Sequence, residues 1–446
     1  MRKVISRKIK ILFFSLAFIV LFILPAKTFD SIDGLMYLNT AKSLVYQGDF
    51  SIEDKMPSLI KGTDGKYYSV GGLGWTLCLV IPVWINKIFG GSIENIQLVA
   101  NFANPFLSFC LLIVLYKLYS LVSKNQKIAL IVAAITVFST NLLPLSKHSF
   151  AHIFSILTIT SSIYFGLKYA SNKKIKNLIL SGIFYGLFII SYNYTFVLIS
   201  FILFLTLIFK KVLNKKIIVY WIIGVIPFII LFFYYNYFRF GNIFESGYLT
   251  GSSTGTEINL RNSFIDGFWG LLLSPGKSIW IYSPILIYSF YLGIKNIKKN
   301  WVDSLFIAFL ALNTIFYARL AFWSGELSYG PRYFAILIPF GGLVLVKHWS
   351  QINKKILTGL ILLGLWVQLV GVSVPYGSQY QWYDMEFMCV GSEGLSRQGE
   401  FDYWSIGQFV PRYSPPYRLK KELFKRWHNL FFRINGDLPD FWWVKD

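Results

Sequence analysis

Apolar runs of membrane-spanning length recur along this chain from beginning to end, and short lysine-rich clusters punctuate them. That alternation constrains the fold more tightly than any motif does. About 20 apolar residues suffice to cross the hydrocarbon layer as a helix, and inside that layer only helices and closed barrels satisfy every backbone amide. Of the 446 residues, 55% are hydrophobic, 19% aromatic and only 14% charged, far from a soluble composition. The chain is therefore expected to be an all-α polytopic membrane protein. Its first run, Ile11 to Leu24, follows Arg2, Lys3, Arg7, Lys8 and Lys10 as a secretion signal would. Pro25-Ala26-Lys27 is a poor cleavage site, so the run is read as an uncleaved first helix.

The net charge of +22 would suggest nucleic acid in a soluble protein. Here the basic residues sit in short loops between apolar runs, as the positive-inside rule requires, so no nucleic-acid partner is expected. The clusters are the N-terminus; Lys117, Lys124, Lys127; Lys168, Lys173, Lys174, Lys176; Lys210, Lys211, Lys215, Lys216; Lys295, Lys298, Lys299; and Lys347, Lys354, Lys355. Between successive clusters the chain must cross twice. About eleven spans result, within a range of 10–13, near residues 9–26, 97–117, 127–144, 148–169, 176–192, 195–212, 217–238, 279–297, 302–321, 332–349 and 355–374. The N-terminus is then cytoplasmic and the C-terminal tail extracytoplasmic.

A further apolar segment, 75–90, would invert every later cluster if it crossed, so it is read as a helix in the outer leaflet, with Trp75 and Trp84 suited to the interface. In this topology only Asp303 among the acidic residues faces the cytoplasm, and the chemistry is expected outside. Residues 1–374 form a membrane domain with outer loops at 27–96 and 239–278, and 375–446 form an outer tail. Tyr380, Trp382, Tyr383, Tyr403, Trp404, Trp442 and Trp443 argue against a disordered tail, and Lys420, Lys421, Lys425 and Arg426 give it a basic amphipathic stretch near headgroups.

Cys78, Cys110 and Cys389 are scattered and imply neither a metal site nor a disulfide framework. Gly71-Gly72-Leu73-Gly74 lacks the strand–turn–helix context of a phosphate-binding fingerprint and is read as a flexible turn. Asn193-Tyr194-Thr195 is a chance sequon in a tight membrane turn.

The first outer loop carries more. Tyr37, Ala41 and Leu44 recur at helical spacing, which predicts a short helix from Asp33 to about Gly48. Asp33 is then either its N-cap or a carboxylate at the lipid–water boundary that takes a proton from an attacking hydroxyl. Spacing alone does not choose.

The order Asp33, Tyr37, Ala41, Gly48-Asp49-Phe50 resembles the first outer loop of C-type membrane glycosyltransferases, nearest the protein O-mannosyltransferases and the aminoarabinose–lipid A transferases. The resemblance continues through Gly65-Lys66-Tyr67-Tyr68-Ser69, Leu73-Gly74-Trp75 and Phe89-Gly90. It returns at Ser274-Pro275-Gly276-Lys277, Tyr282-Ser283-Pro284 and Gly330-Pro331-Arg332-Tyr333-Phe334. It implies sugar transfer from a polyprenyl phosphate to a hydroxyl of a glycan, lipid or protein acceptor at the membrane, with inversion and with Asp33 as general base. Many relatives carry Asp-Glu where this chain has Asp33-Gly34, and the Lys-Pro-Pro run of the family is replaced by Val70-Gly71-Gly72-Leu73.

A polyprenyl-phosphate donor needs cations to hold its phosphate and stabilise it as a leaving group. Arg332 is the first candidate, against the alternative that it snorkels to headgroups. Lys277 is a further candidate; Arg319 either binds phosphate or pairs with Glu326. Tyr37, Asp49, Glu326 and Tyr333 are expected to line the substrate site. His148 and His152, expected one turn apart on the helix from 148, would hydrogen-bond substrate or serve structure. Two histidines do not make a metal site, so no cofactor is assigned, and a divalent cation stays an option. A transporter or flippase would show internal symmetry, and a polysaccharide polymerase or ligase more arginines in the outer loops; a non-catalytic scaffold is the remaining alternative.

Overall fold

A computed structural model describes residues 5–29, 31–53, 56, 59–191, 215–248, 260–325, 328–375 and 408–444. The expected span 195–212, the sequon at Asn193, Asp30, Glu326 and the stretch 376–407 lie outside the described residues. The protein is helical and polytopic. Among the described residues, five helices are long and apolar enough to cross a membrane: Asn95–Ser123, His152–Asn172, Lys216–Phe240, Trp301–Arg319 and Lys354–Ser373. Shorter apolar helices are Leu73–Ile88, Gln126–Phe138, Ile175–Ile189 and Phe264–Leu273.

The chain divides into two compact units. The first comprises residues 1–18, 32–130 and 149–258. It holds most of α1 (Arg7–Ile23), α2 (Ile32–Tyr46), a hairpin of β1 (Leu59–Lys61) and β2 (Tyr67–Ser69), then α3 (Leu73–Ile88), α4 (Ile93–Asn101) and α5 (Ala103–Ser123). The start of α6 (Gln126–Phe138) also belongs here, followed later by α8 (His152–Asn172), α9 (Ile175–Ile189) and α10 (Lys215–Phe240). The hairpin is antiparallel, with Ile60 opposite Tyr68.

Small residues set the packing of this unit. A Cβ on Gly182 of α9 would lie 2.1 Å from the carbonyl of Trp221, and one on Gly224 of α10 would lie 2.3 Å from that of Ile179. The two backbones therefore touch, the arrangement small residues permit where lipid gives apolar contact no advantage. Between α8 and α9, Ser162 and Ser181 each donate to the other's carbonyl at 2.9 Å. Such reciprocal bonds keep hydroxyls satisfied in an apolar layer.

The second unit comprises 19–31, 131–148 and 259–446. It holds the end of α6, α7 (Leu142–Lys147), α11 (Phe264–Leu273), α12 (Ile279–Tyr282), α13 (Ile285–Asn296), α14 (Trp301–Arg319), a 3-10 turn Arg332–Leu337, α15 (Ile338–Lys347), α16 (Lys354–Ser373) and α17 (Pro415–Phe432). Three expected spans are interrupted here. The span 127–144 breaks between Phe138 and Leu142, that at 279–297 breaks at Ser283-Pro284, and that at 332–349 opens as the 3-10 turn. Proline and clustered Ser, Thr and Asn explain the first two, because they compete for or remove backbone bonds.

Two readings of aromatic and glycine positions change. Trp84 is exposed, but Trp75 is 1% exposed and belongs to the core. It shares the buried face of α3 with Leu79, Val83 and Asn86, at helical spacing. The glycines 71 and 72 do lie between a strand and a helix, β2 and α3, because a three-residue strand leaves no alternation to detect. Their faces are filled: a Cβ on Gly71 would lie 2.4 Å from the Tyr37 ring, and one on Gly72 2.5 Å from the backbone of Ser191. These glycines serve close packing.

The end of the described chain locks onto the second unit. Lys147 is 1% exposed, and its ammonium meets the Asp440 carboxylate at 3.0 Å and the Val372 carbonyl at 2.8 Å. Its charge also lies over the Phe441 ring. Trp442 donates its backbone N–H to Pro25 and its indole N–H to Phe22, and the Trp443 indole donates to Ile23. Replacing Asp440 by Asn leaves the buried Lys147 charge without its carboxylate, a change of about 3 kcal/mol by the usual scale for breaking buried pairs. The expected outcome is a lower unfolding midpoint in detergent and faster proteolysis after residue 433, measured side by side with the parent chain.

Candidate active site

In the first unit, α2 carries Asp33 and Tyr37 one turn apart. Asp33 is the second helical residue, in the first turn, where a carboxylate favours the helix dipole; it is not the N-cap. The helix stops at Gly48, whose φ of +73° suits glycine, after Gln47 donates back to the Ser43 carbonyl. Tyr37 packs on Gly71 and accepts a backbone hydrogen bond from Gly72. Burial of its hydroxyl, with Tyr248 and Asp33 nearby, pushes the Tyr37 phenol well above its ordinary value, so it stays protonated as a donor. Asp33 and Tyr37 thus share one electrostatic neighbourhood.

Asp49 sits past the end of α2 and is already engaged. It accepts the backbone N–H of Phe50 at 2.6 Å, the Ser51 hydroxyl at 3.0 Å and the Lys66 ammonium. Burial works to raise its carboxyl, but Lys66, Ser51 and the backbone donors outweigh that and hold it below the usual carboxylate range. An open polar groove of about 430 Å³ runs beside it, lined by Gln47, Asp49, Ser51, Glu53, Lys66 and Tyr67 among others.

A residue the sequence did not single out anchors this region. Arg239, in the last turn of α10, is fully buried and donates to the carbonyls of Ser69 and Tyr235 and to Asn236 Oδ1. Its guanidinium lies 3.8 Å from the Tyr235 ring centroid. Thus β2 is pinned to α10, and the Gly71–Gly72 turn that backs Tyr37 is pinned with it. A basic residue ending a long apolar run was the available signal, but it is equally the signal of a snorkelling anchor.

In the second unit, three motifs far apart in sequence meet around Gly330. Lys277 is 3% exposed, and its ammonium donates to the Ser328 carbonyl and, at 3.4 Å, to the Gly330 carbonyl. Ser274 shapes the approach: its hydroxyl donates to Gly270 at the end of α11 and accepts the Lys277 N–H at 3.0 Å. Gly330 has φ +73°, and a Cβ there would lie 2.6 Å from the Tyr282 ring and 2.9 Å from Asn141 Oδ1. Asn141 is fully buried, and its backbone N–H donates to Ser283 Oγ at 3.2 Å. So 274–277, 282–284 and 330–332 form one turn-lined locus.

Arg332 opens the 3-10 turn and is 6% exposed, packed within the protein. Its guanidinium lies 5.2 Å from the Tyr333 ring centroid, and Tyr333 stacks on Tyr317 at 4.7 Å and 6°. Gly325, with φ +67°, leaves the room that the Arg332 side chain occupies. The second unit therefore holds two buried cations near this turn: Lys277, which donates to the Ser328 and Gly330 carbonyls, and Arg332, which follows it in sequence.

Other expected residues fall elsewhere. Arg319 ends α14 exposed, with its carbonyl taking the Asn262 N–H, and its proposed partner Glu326 lies outside the described residues. His148 and His152 do not share a helical face: α7 ends at Lys147, His148 is extended, and α8 begins only at His152. His148 belongs to the second unit and His152 to the first. The Ser149–Phe150 stretch between them, where Phe150 gives its carbonyl to Asn104 of α5, interrupts the helix. Among the described residues, no group of three or more His, Cys, Asp or Glu side chains could hold a metal ion.

No protein-family model and no curated protein sequence matches the chain. Solved structures do. ArnT from Cupriavidus metallidurans bound to undecaprenyl phosphate aligns with 96% of this chain and 80% of its own, at TM-score 0.55 and 11% identity. The archaeal oligosaccharyltransferase AglB from Archaeoglobus fulgidus, in complex with an inhibitory peptide and a dolichol-phosphate, aligns with 96% of this chain at TM-score 0.53 and 12% identity. The chain shares the membrane fold of these two structures. It spans 58% of the AglB chain, so AglB continues beyond the shared part. A complex of the same oligosaccharyltransferase with Zn and sulfate aligns at TM-score 0.51 and 13% identity.

Gly330 gives the direct structural test of the second locus. Gly330→Ala places a side chain at positive φ and against Tyr282, and such strain typically costs about 1–3 kcal/mol. The expected result is a destabilised second unit whose Lys277 and Arg332 neighbourhood exchanges amide hydrogens faster, read by hydrogen–deuterium exchange, with α8–α10 unchanged.

Proposed function

We propose that this protein is a membrane glycosyltransferase that moves a sugar from a polyprenyl phosphate to an acceptor hydroxyl. The observation that carries this is the pair of buried cations, Lys277 and Arg332, gathered on the 328–332 turn. A cation held near such a turn supplies charge-assisted hydrogen bonds and positive field to an anionic phosphate. The fold adds support, since the ArnT and AglB structures are complexes with undecaprenyl phosphate and dolichol-phosphate.

In this scheme Asp33 accepts the proton of the acceptor hydroxyl. The oxygen attacks the anomeric carbon, the bond from that carbon to the phosphate oxygen breaks, and configuration inverts. Polyprenyl phosphate leaves with its new negative charge stabilised by Arg332, while Lys277 holds the turn and adds positive field. Tyr37, protonated, orients the acceptor beside Asp33. Tyr333 braces Arg332 through its stack with Tyr317. No acidic helper follows Asp33, because Gly34 stands there. The proposed orientation keeps the N-terminus cytoplasmic, with residues 1–374 as the membrane domain and the 375–446 tail on the reacting side.

Asp33→Asn is expected to lower transfer about 10²–10⁴-fold, the usual contribution of a general base, with membrane insertion and unfolding midpoint unchanged. The assay is purified protein with labelled polyprenyl-phosphate sugars and an envelope extract as acceptor; full activity in that variant removes Asp33 from the mechanism. Arg332→Ala is expected to weaken use of donor by about 10²-fold or more and to abolish protection of the 328–337 backbone by added undecaprenyl phosphate. Undiminished protection would assign Arg332 to structure alone.

A further inference from the structure

The outward face of α17 is exposed among the described residues and carries a marked pattern. Leu419, Leu423, Arg426 and Asn429 are its buried side: the two leucines pack with Tyr329, Val367 and Val370, while Arg426 donates to the Leu438 carbonyl and Asn429 to that of Asp437. Opposite them, Tyr417, Phe424 and Phe431 recur every seven residues and so fall on one stripe. They are 49%, 62% and 74% exposed, with Phe432 beside them at 69%. A soluble surface rarely leaves four aromatic rings in a row open to water.

Lysines flank the stripe. Lys421 and Lys425 stand on one side and Lys420 on the other, with Lys420 folded over the Tyr417 ring at 3.9 Å. The helix carries five cations (Arg418, Lys420, Lys421, Lys425 and Arg426) against the single carboxylate Glu422. Lys425 also meets Asp437 at 3.5 Å, an exposed pair of little strength.

Three contacts set the depth of this face. Phe424 lies 5.9 Å from Trp366, which sits on the exposed side of the spanning helix α16 beside Leu362, Leu363 and Leu369. The Trp427 indole donates to Ser373, the last residue of α16. Trp442 and Trp443 cap the final turn of α1 while staying 42% and 39% exposed. The aromatic stripe therefore continues the lipid-facing side of α16, at the level where two apolar helices end and where Trp and Tyr belts form.

We infer that this face of α17 is a docking surface for the anionic headgroups of the bilayer, its rings in the acyl boundary and Lys420, Lys421 and Lys425 among the phosphates. An apolar stripe bordered by lysines on an interfacial helix binds in that way. Because α17 packs on Tyr329, within the Ser328–Gly330 turn that Lys277 holds, lipid engagement also braces that turn; this last point alone rests on the proposed function.

The test uses the full chain in nanodiscs of phosphatidylcholine with and without phosphatidylglycerol. Spin labels at Phe424→Cys and Phe431→Cys, with Cys78, Cys110 and Cys389 changed to Ser, report depth. Collisions with dissolved oxygen are expected to exceed those with a water-soluble nickel chelate. Native mass spectrometry of the Lys420→Gln/Lys421→Gln/Lys425→Gln variant is expected to show preference for retained phosphatidylglycerol over phosphatidylcholine reduced about fivefold or more. Labels more open to nickel than to oxygen, labels shielded from both by a covering protein, or an unchanged lipid preference would each overturn the inference. Neither readout requires catalysis, so failure of the glycosyltransferase proposal leaves this test intact.

Discussion

Every peptide group placed in hydrocarbon must find its partner within the protein, and this demand governs both units. Where helices run unbroken, the chain needs nothing further. Where they break, at 139–141, at Ser283-Pro284, over 320–325 and over 328–331, carbonyls and amides are released, and polar side chains have to take them up. Ser283 takes the amide of Asn141, and Lys277 takes the carbonyls of Ser328 and Gly330. Ser274 shapes the loop that delivers Lys277. The polar locus is thus made by repairing interrupted helices, and its two cations sit where that repair concentrates oxygen atoms and positive charge.

The same demand explains the small residues. Gly182 and Gly224 let two helices touch, and the serine pair 162/181 closes its own hydrogen bonds across a helix interface. Gly325 and Gly330 act differently. Their left-handed backbones make the turn that Arg332 and Lys277 share, and a Cβ at either position would strike a neighbouring side chain. Glycine therefore marks close approach in these helices and left-handed backbone at positions 325 and 330.

Much of this was legible in the sequence. Periodicity gave α2 and its stop at Gly48, and charge clusters bracketed the apolar helices, because insertion into lipid is governed by local composition. Arg332 and Lys277 were legible only through short motifs, since burial of a cation depends on residues about fifty positions away. Arg239 looked like any basic residue ending a span; its role appears only when β2 is seen to supply the Ser69 carbonyl. The shared face expected for His148 and His152 failed because spacing presumes a continuous helix, and α7 ends just before His148. Trp75 was misplaced for a related reason: an aromatic near the start of an apolar helix looks interfacial until neighbouring elements cover it. The β2–Gly–Gly–α3 junction escaped because three residues are too few to show an alternation.

The latch between Lys147 and Asp440 joins positions almost three hundred residues apart. A chain is made and inserted from its beginning, so Lys147 enters the membrane region long before its carboxylate exists. Until residue 440 emerges, the ammonium has the Val372 carbonyl but lacks its carboxylate, and the 131–148 segment is not fully latched. Closure of the second unit is thereby tied to completion of the tail. A ribosome product cut short anywhere between α17 and Asp440 would carry every spanning helix and the complete 328–332 turn yet remain open at Lys147, a state that quality-control proteases can distinguish from the finished protein.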